Sequence, residues 1–494
     1  MASKLFVTKS ISKLLEQADG SSNKLHRSLG VSHLVLLGIG AIIGAGLFVR
    51  TAAAASEHAG PAVTLSYVLA AVGCLFAGLC YAEFASSIPI AGSAYTYSYA
   101  TLGEFIAWII GWELILEYGL GAATVAIAWS EYLNKLLAHF NMQIPFQWCH
   151  SPLETSLDGS MHGIINLPAI LILGLLSMLL IRGTQHSAAI NAIIVIIKVS
   201  IVLLFILFGW SFINPQNHIP FIPPAGTYTD NTGASHSFGG FMGILAGAGT
   251  VFFAFIGFDA VSTAAQEAKN PKRDMPIGIL LSLAICTILY ILFSYVLTGV
   301  ASYEDFRHAG KEASVTYAIQ TYMTGYGWLA TFITVAILAG FSSVILVMLL
   351  GQSRVFYSMS RDGLVPKIFS DIHSKYHTPW KSNIIFFFFT GLFAAFLPGS
   401  LTGDLTSIGT LSAFLLVSAG ILVIRKTQPD LPRSFRTPFV PWVPILGIIT
   451  CGAMMFGLDS YTWMGFLGWT GFGLIVYFLY SRYHSIAQKD ALKS

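Results

Sequence analysis

The chain has 494 residues, of which 55% are hydrophobic and only 10% charged, with a formal net charge of +3. A soluble domain carries about 25% charged residues, and the 26 basic and 23 acidic side chains here cannot cover a soluble protein of this size. With a mean hydropathy of +0.71, the chain reads as an integral membrane protein, which excludes a cytosolic enzyme, a disordered chain and a secreted disulfide scaffold. The near-neutral charge balance gives no support to nucleic-acid binding.

The first 33 residues are too polar for a signal peptide, and the first apolar run leads into further ones, so it is expected to stay as a helix. The stretch from Lys9 to Glu16 reads either as a short amphipathic helix on the inner membrane surface or as a solvated basic tail. A hydrocarbon core takes about 20 apolar residues per helix. That ruler predicts an all-α membrane protein with 12 transmembrane helices, near 33–57, 61–87, 104–136, 163–182, 187–213, 240–266, 276–300, 326–357, 382–398, 403–424, 439–457 and 462–481. The runs are too long for barrel strands. Placing both termini in the cytoplasm puts 21 Lys and Arg on inner segments and four on outer ones, with Lys198 in mid-membrane. Basic residues favour the inner side. The five cysteines form no CxxC, so neither a metal site nor a disulfide framework is expected.

Spans one and six carry matching irregularities. Span one holds Gly38, Gly40, Gly44 and Gly46 within nine residues, and span six holds Gly243, Gly247, Gly249 and Gly257. Glycine lowers the cost of leaving helical geometry. Two glycine-interrupted segments in corresponding positions point to a transporter's central site. Their spacing predicts a five-plus-five inverted repeat, 33–213 and 240–424, with an added pair at 439–481, flanked by a cytoplasmic segment 1–32 and a cytoplasmic tail 482–494. Unwound backbone in lipid must find new partners: amides after a break, at a positive helix end, suit a carboxylate, and carbonyls before it suit an ammonium. A small-xxx-small packing face at Gly40 and Gly44 is the alternative for span one taken by itself.

The motifs GIGAIIGAGLFV, AGSAYTYSYATLGE, LEYGLGAATVAIAWSEYL, FFAFIGFDAVSTAAQEAKNPKRDMPIGI and SRVFYSMSRDGLVP occur in this order. Together they resemble the amino acid–polyamine–organocation superfamily, and within it a bacterial cationic amino acid transporter. The resemblance covers nearly the whole chain. It implies a proton-linked carrier in the cell membrane with a ten-helix inverted-repeat core of the LeuT type. Carried over, the substrate carboxylate meets the amides of Ala45 and Gly46, beside Gly44, and the ammonium meets the carbonyls of Ile42, Phe253 and Ile256. Ile43 and Ala254 complete the set, and Phe253 is also the lid on the outer side. The family's fifth-span lysine stands in for a sodium ion, which here is Lys198, with Ser342 and Ser343 as neighbours. Met348 falls in the side-chain pocket, where an apolar residue favours small neutral substrates such as alanine alongside arginine; ordinary helix packing is its other reading.

Ionisable groups inside spans are costly and therefore functional candidates. Lys198 is either a proton carrier, because burial disfavours a charged amine, or a structurally paired cation. Glu117 and Glu113, four residues apart, are expected to share a face; Glu117 suits a cationic substrate side chain, a coupling proton or a packing bond. Asp259 reads as a cap for the half-helix that follows or as a gate. Glu83 and Glu104 read as interfacial, and Glu267, Lys269, Lys272 and Arg273 as an inner loop carrying closing pairs or simple topology charge.

There is no HExxH, GxSxG or P-loop, so an enzyme is not expected and neither is a cofactor. A channel wants a continuous polar pore from symmetric subunits. The reading is a proton-coupled symporter of L-amino acids; a sodium-coupled carrier or an exchanger is the alternative. The expected partners are an amino acid, protons and the lipid bilayer, and the lipid-facing surface leaves room for a small single-span membrane partner.

Overall fold

Long apolar runs bounded by glycine and proline fold into helices because only a helix satisfies its own backbone in hydrocarbon. The computed structural model describes residues 5–10 and 29–493, apart from 89, 91, 139, 157–158, 183–186, 230–234, 266–267, 310–313 and 377. Among the described residues, eight helices are long and apolar enough to cross a membrane, and four shorter apolar ones accompany them.

In chain order, α1 (Val31–Ile42) ends at a break and helical turns resume from Gly46 to Ala59. Then come α2 (Val63–Ser87), α3 (Ser93–Thr101) and α4 (Glu104–Ile115). A π turn, Leu116–Leu120, joins α4 to α5 (Gly121–Ala138). After α6 (Leu167–Arg182) and α7 (Ser187–Gly209) the chain forms β1 (Gly226–Thr229) and β2 (Ser235–Phe238). The second interrupted segment is α8 (Gly240–Phe252) and a short α9 (Ala260–Thr263). The longer helices that follow are α10 (Pro271–Val300), α11 (Gly327–Arg361), α12 (Trp380–Phe396), α13 (Gly399–Thr427), α14 (Trp442–Gly457) and α15 (Ser460–Val476).

The antiparallel hairpin β1–β2, with Tyr228 opposite His236, was not expected from the sequence. It lies in the predicted outer loop 214–239, which has no Lys or Arg. Arg307 fixes it: its guanidinium stacks 4.1 Å from both the Tyr228 and Phe238 rings, and Nε donates to Ser56 O at 2.7 Å. The core is built by α10 packing along α2 and α1, and by α11 against α5. These contacts set the two breaks face to face.

At the N-terminus, residues 5–10 are non-helical and pinned. The Phe105 and Glu104 amides donate to Leu5 O and Val7 O, and Lys9 Nζ donates to Asp362 at 2.7 Å. Lys9 is therefore not a solvated tail residue. The rest of the expected amphipathic stretch, 11–16, lies outside the described residues, as does Glu267.

Candidate functional site

Both glycine-rich helices are interrupted. Segment one leaves helical geometry at Ile43, whose ψ is 102°, and resumes with Ala45 at the N-cap position and no side chain capping it. Segment two tightens into a 3-10 turn at Phe253–Phe255, extends at Ile256 and turns at Gly257, with φ of +112°. A Cβ on Gly257 would lie 3.0 Å from the Ala41 backbone, and one on Gly46 would lie 2.2 Å from Ala254 Cα. The two breaks cross backbone against backbone, which only glycine permits at these points.

All eleven residues predicted for the site, Ile42, Ile43, Gly44, Ala45, Gly46, Glu117, Lys198, Phe253, Ala254, Ile256 and Met348, are buried. Gly44 packs on Val344 of α11, and Met348 lies one turn further along that helix, close to Gly121 of α5.

The carbonyls freed by the break in segment one have named partners. Lys198 Nζ donates to Gly40 O at 2.9 Å and Ile43 O at 3.1 Å, with Ser343 Oγ at 3.4 Å. Of the two expected serine neighbours, Ser342 instead donates back to Leu338 O. The Tyr290 hydroxyl of α10 lies 2.9 Å from Ile42 O and 2.8 Å from Ala254 O, so it bridges the two breaks. One hydroxyl proton serves only one carbonyl at a time. Tyr290 was not singled out from the sequence, although a tyrosine inside an apolar run is itself a signal that its hydroxyl needs a partner.

Glu113 and Glu117 do not share a face. The π turn between them changes the angular step, so Glu113 accepts from Thr470 of α15 at 2.7 Å while Glu117 faces Asp259 and Thr410. Such π turns are rare and concentrate at functional sites. Asp259 makes no capping bond to α9; Oδ2 accepts from the Tyr118 hydroxyl at 2.6 Å. Among the described residues, Asp259 Oδ1 and the Gln352 amide are buried without a hydrogen-bond partner, beside the buried Glu117 carboxyl. Unsatisfied polar atoms of this kind are unusual and mark a place for a proton, a water or a ligand.

Glu83 and Glu104, each near a helix end, are buried by other parts of the chain. Arg425 grips Glu83 with two bonds of 2.9 Å, Arg433 Nε lies 3.1 Å from it, and the Thr437 amide donates at 2.8 Å. Glu104 accepts from Tyr99 (2.8 Å), Tyr477 (3.1 Å), Gln488 (2.9 Å) and Ser485. Chain segments beyond the spans fold back to cover both carboxylates, a contact local sequence does not reveal.

At the opposite end, Arg50 is ion-paired with Asp404 of α13, whose Oδ2 also accepts from Tyr461 at 3.2 Å. Arg50 is one of the four basic residues on the outer side in the charge count, and the structure buries it beyond the break. Close by, His236 Nδ1 lies 2.9 Å from Asp459 Oδ2. Burial pushes the Asp459 carboxyl up, but the hydrogen bond from His236 and the nearby imidazoles outweigh it and hold it below the usual carboxylate range.

Comparison with known proteins agrees with this architecture. The "Amino acid permease" family model matches residues 29–480. The chain is 44% identical over 488 residues to the "Branched-chain amino acid permease BcaP" of Bacillus subtilis, covering 98% of this chain and 99% of that protein. It is 42% identical to the "Methylthioribose transporter" of the same organism, over 99% and 100% of the two chains. It is 36% identical to "Cationic amino acid transporter 2, vacuolar" of Arabidopsis thaliana, over 86% of this chain and 64% of that one. The chain thus belongs to the amino acid permease family of the amino acid–polyamine–organocation superfamily, and is a multi-pass membrane transporter, not an enzyme.

Proposed function

We propose that the protein is a proton-coupled symporter of L-amino acids in the cell membrane, with twelve crossings, a five-plus-five inverted-repeat core and both termini cytoplasmic. The observation that carries this reading is the meeting of two interrupted helices whose freed carbonyls are held by a lysine ammonium and one tyrosine hydroxyl. In this arrangement the amides that follow the break at Gly44 receive the substrate carboxylate, helped by the positive end of the resumed helix. The carbonyls of Ile42, Phe253 and Ile256 receive the ammonium. Lys198, holding Gly40 O and Ile43 O, supplies a fixed positive charge beside the break. Loss of its proton weakens both bonds and loosens the break, which links proton movement to opening of the site. The buried state of all eleven residues matches a conformation closed at both ends, with Arg50 and Asp404 shutting the outer path and Glu117, Asp259 and Tyr118 the inner one.

Met348 lines the pocket with an apolar side chain, which favours aliphatic neutral substrates, alanine among them. The 44% identity to a branched-chain amino acid permease supports that preference. A second reading, cationic substrates such as arginine, is favoured by Glu117, an acidic side chain buried in the core of the fold. The orientation rests on the 21 to four split of basic residues.

The test is uptake into proteoliposomes of labelled alanine, isoleucine and arginine, with and without an inward proton gradient. Accumulation that follows the proton gradient without sodium is the expected result. Uptake that needs sodium, or that needs a counter-substrate inside and ignores pH, overturns it.

A further inference from the structure

Three segments far apart in the chain bring His58, His236 and Asp459 together at the end of the fold where the first interrupted helix finishes. His58 lies in the last helical turn of that segment, His236 on β2, and Asp459 in the turn between α14 and α15. One ligand atom from each lies within 4.8 Å of the others, and both imidazoles are buried. The two rings sit edge to face at 5.3 Å. Neither the symport reading nor any relative's name gives this cluster a role.

We propose that His58, His236 and Asp459 form a binding site for a divalent transition-metal cation of the zinc class, whose occupancy ties the three segments together and holds the transporter shut at this end.

The donor set argues for the cation class. Two imidazole nitrogens and one carboxylate oxygen suit zinc and its neighbours, with a fourth position left for water. Calcium and magnesium prefer all-oxygen sites. Zinc bonds of about 2.0–2.2 Å put ligand atoms about 3.3 Å apart in a tetrahedron. His236 Nδ1 and Asp459 Oδ2 stand at 2.9 Å, and the cation replaces the proton between them; the His58 ligand atom lies within 4.8 Å of both and closes in to complete the site. The supporting contacts are in place. Ser237 O lies 3.3 Å from His58 Nδ1; a carbonyl only accepts, so Nδ1 carries the proton and Nε2 keeps its lone pair for the metal. Bonds of this kind orient metal-binding imidazoles. Arg307 holds the hairpin that carries His236, through its two stacked rings and Ser56 O. Arg50, the nearby positive charge, is already neutralised by Asp404. Sequence spacing could not reveal the site, because the ligands are separated by 178 and 223 positions.

The clamp rests on the alternating-access reading above; the metal site does not. The experiment has two arms. In the first, untagged protein in detergent is stripped with chelator and titrated with zinc chloride by calorimetry, alongside His58→Asn, His236→Asn and Asp459→Asn. One zinc per chain is expected, with each substitution weakening binding by about 100-fold, at the upper end of what even outer-shell changes cost. Variants are first checked for an unchanged gel-filtration profile, and His236→Cys, which supplies a thiolate, is expected to restore binding. In the second arm, zinc added outside proteoliposomes slows amino acid uptake by the parent protein and leaves His236→Asn unaffected. No stoichiometric zinc, or binding that survives the double change His58→Asn with His236→Asn, overturns the site. Zinc that binds with one-to-one stoichiometry yet leaves uptake unchanged overturns the clamp. A protein that moves no amino acid fails the transport reading and leaves the titration as the judge of the site.

Discussion

Gly46 of the first interrupted helix lies so close to Ala254 of the second that a Cβ there would stand 2.2 Å from the Ala254 Cα. The clash would be with backbone, which has no rotamer to move. Gly46→Ala is therefore expected to abolish uptake and lower thermal stability, at a cost of about 1–3 kcal/mol or more for overpacking. Gly468→Ala, on the exposed face of α15 with nothing within 4 Å, is the control and gains up to about 1 kcal/mol from helix propensity. A thermal-shift comparison of the two variants checks this.

Lys198 separates charge from proton release. Lys198→Arg keeps a cation near Gly40 O and Ile43 O, but arginine does not deprotonate in proteins. The expected outcome is substrate binding within a few-fold of the parent protein and loss of proton-driven accumulation. Lys198→Ala strands two buried carbonyls, at about 1–3 kcal/mol each, and is expected to lower the melting temperature as well. Accumulation by Lys198→Arg equal to that of the parent would make the lysine structural.

Tyr290→Phe removes a single oxygen from between the two breaks. Ile42 O and Ala254 O then lose their shared donor. Stability is expected to fall by about 1–3 kcal/mol for an unsatisfied buried acceptor. The KM for substrate should change more than the maximal rate, because the substrate ammonium competes with Tyr290 for Ile42 O. Uptake kinetics over a range of substrate concentrations separate the two effects.

Met348→Ser shortens the side chain facing Gly121 and adds a hydroxyl. The ratio of arginine to alanine uptake is expected to rise, by about 10-fold or more, since small changes in pocket volume are worth about 1–3 kcal/mol. A ratio unchanged in a competition assay would return Met348 to simple packing.

Arg50→Ala leaves the Asp404 carboxylate buried without its cation. Removing one partner of a buried pair costs about 3–5 kcal/mol. Pairing Arg50→Ala with Asp404→Ala should recover part of the stability but not transport, if the pair closes the outer path. Melting curves and uptake of the single and double variants test this.

Membrane residence, the helical class, the approximate bounds of the apolar helices and the location of the two breaks were all legible from composition, run length and glycine clustering. Each depends on properties local in the chain: hydrocarbon demands long apolar runs, and glycine alone tolerates the interruption. Lys198 was legible for the same reason, since an ammonium inside an apolar run is costly and marks either a functional group or a paired cation. The partners of these groups were not. That Lys198 reaches Gly40 and Ile43, that Tyr290 bridges two breaks, and that Glu113 and Glu117 part company at a π turn were decided when helices distant in sequence packed together. Glu83 and Glu104 make the same point. Their position near helix ends was legible, but Arg425, Arg433 and the C-terminal residues fold over them, and burial follows from chain segments more than 300 positions away. Pairing of this kind depends on where whole helices come to rest, which no single stretch of residues encodes.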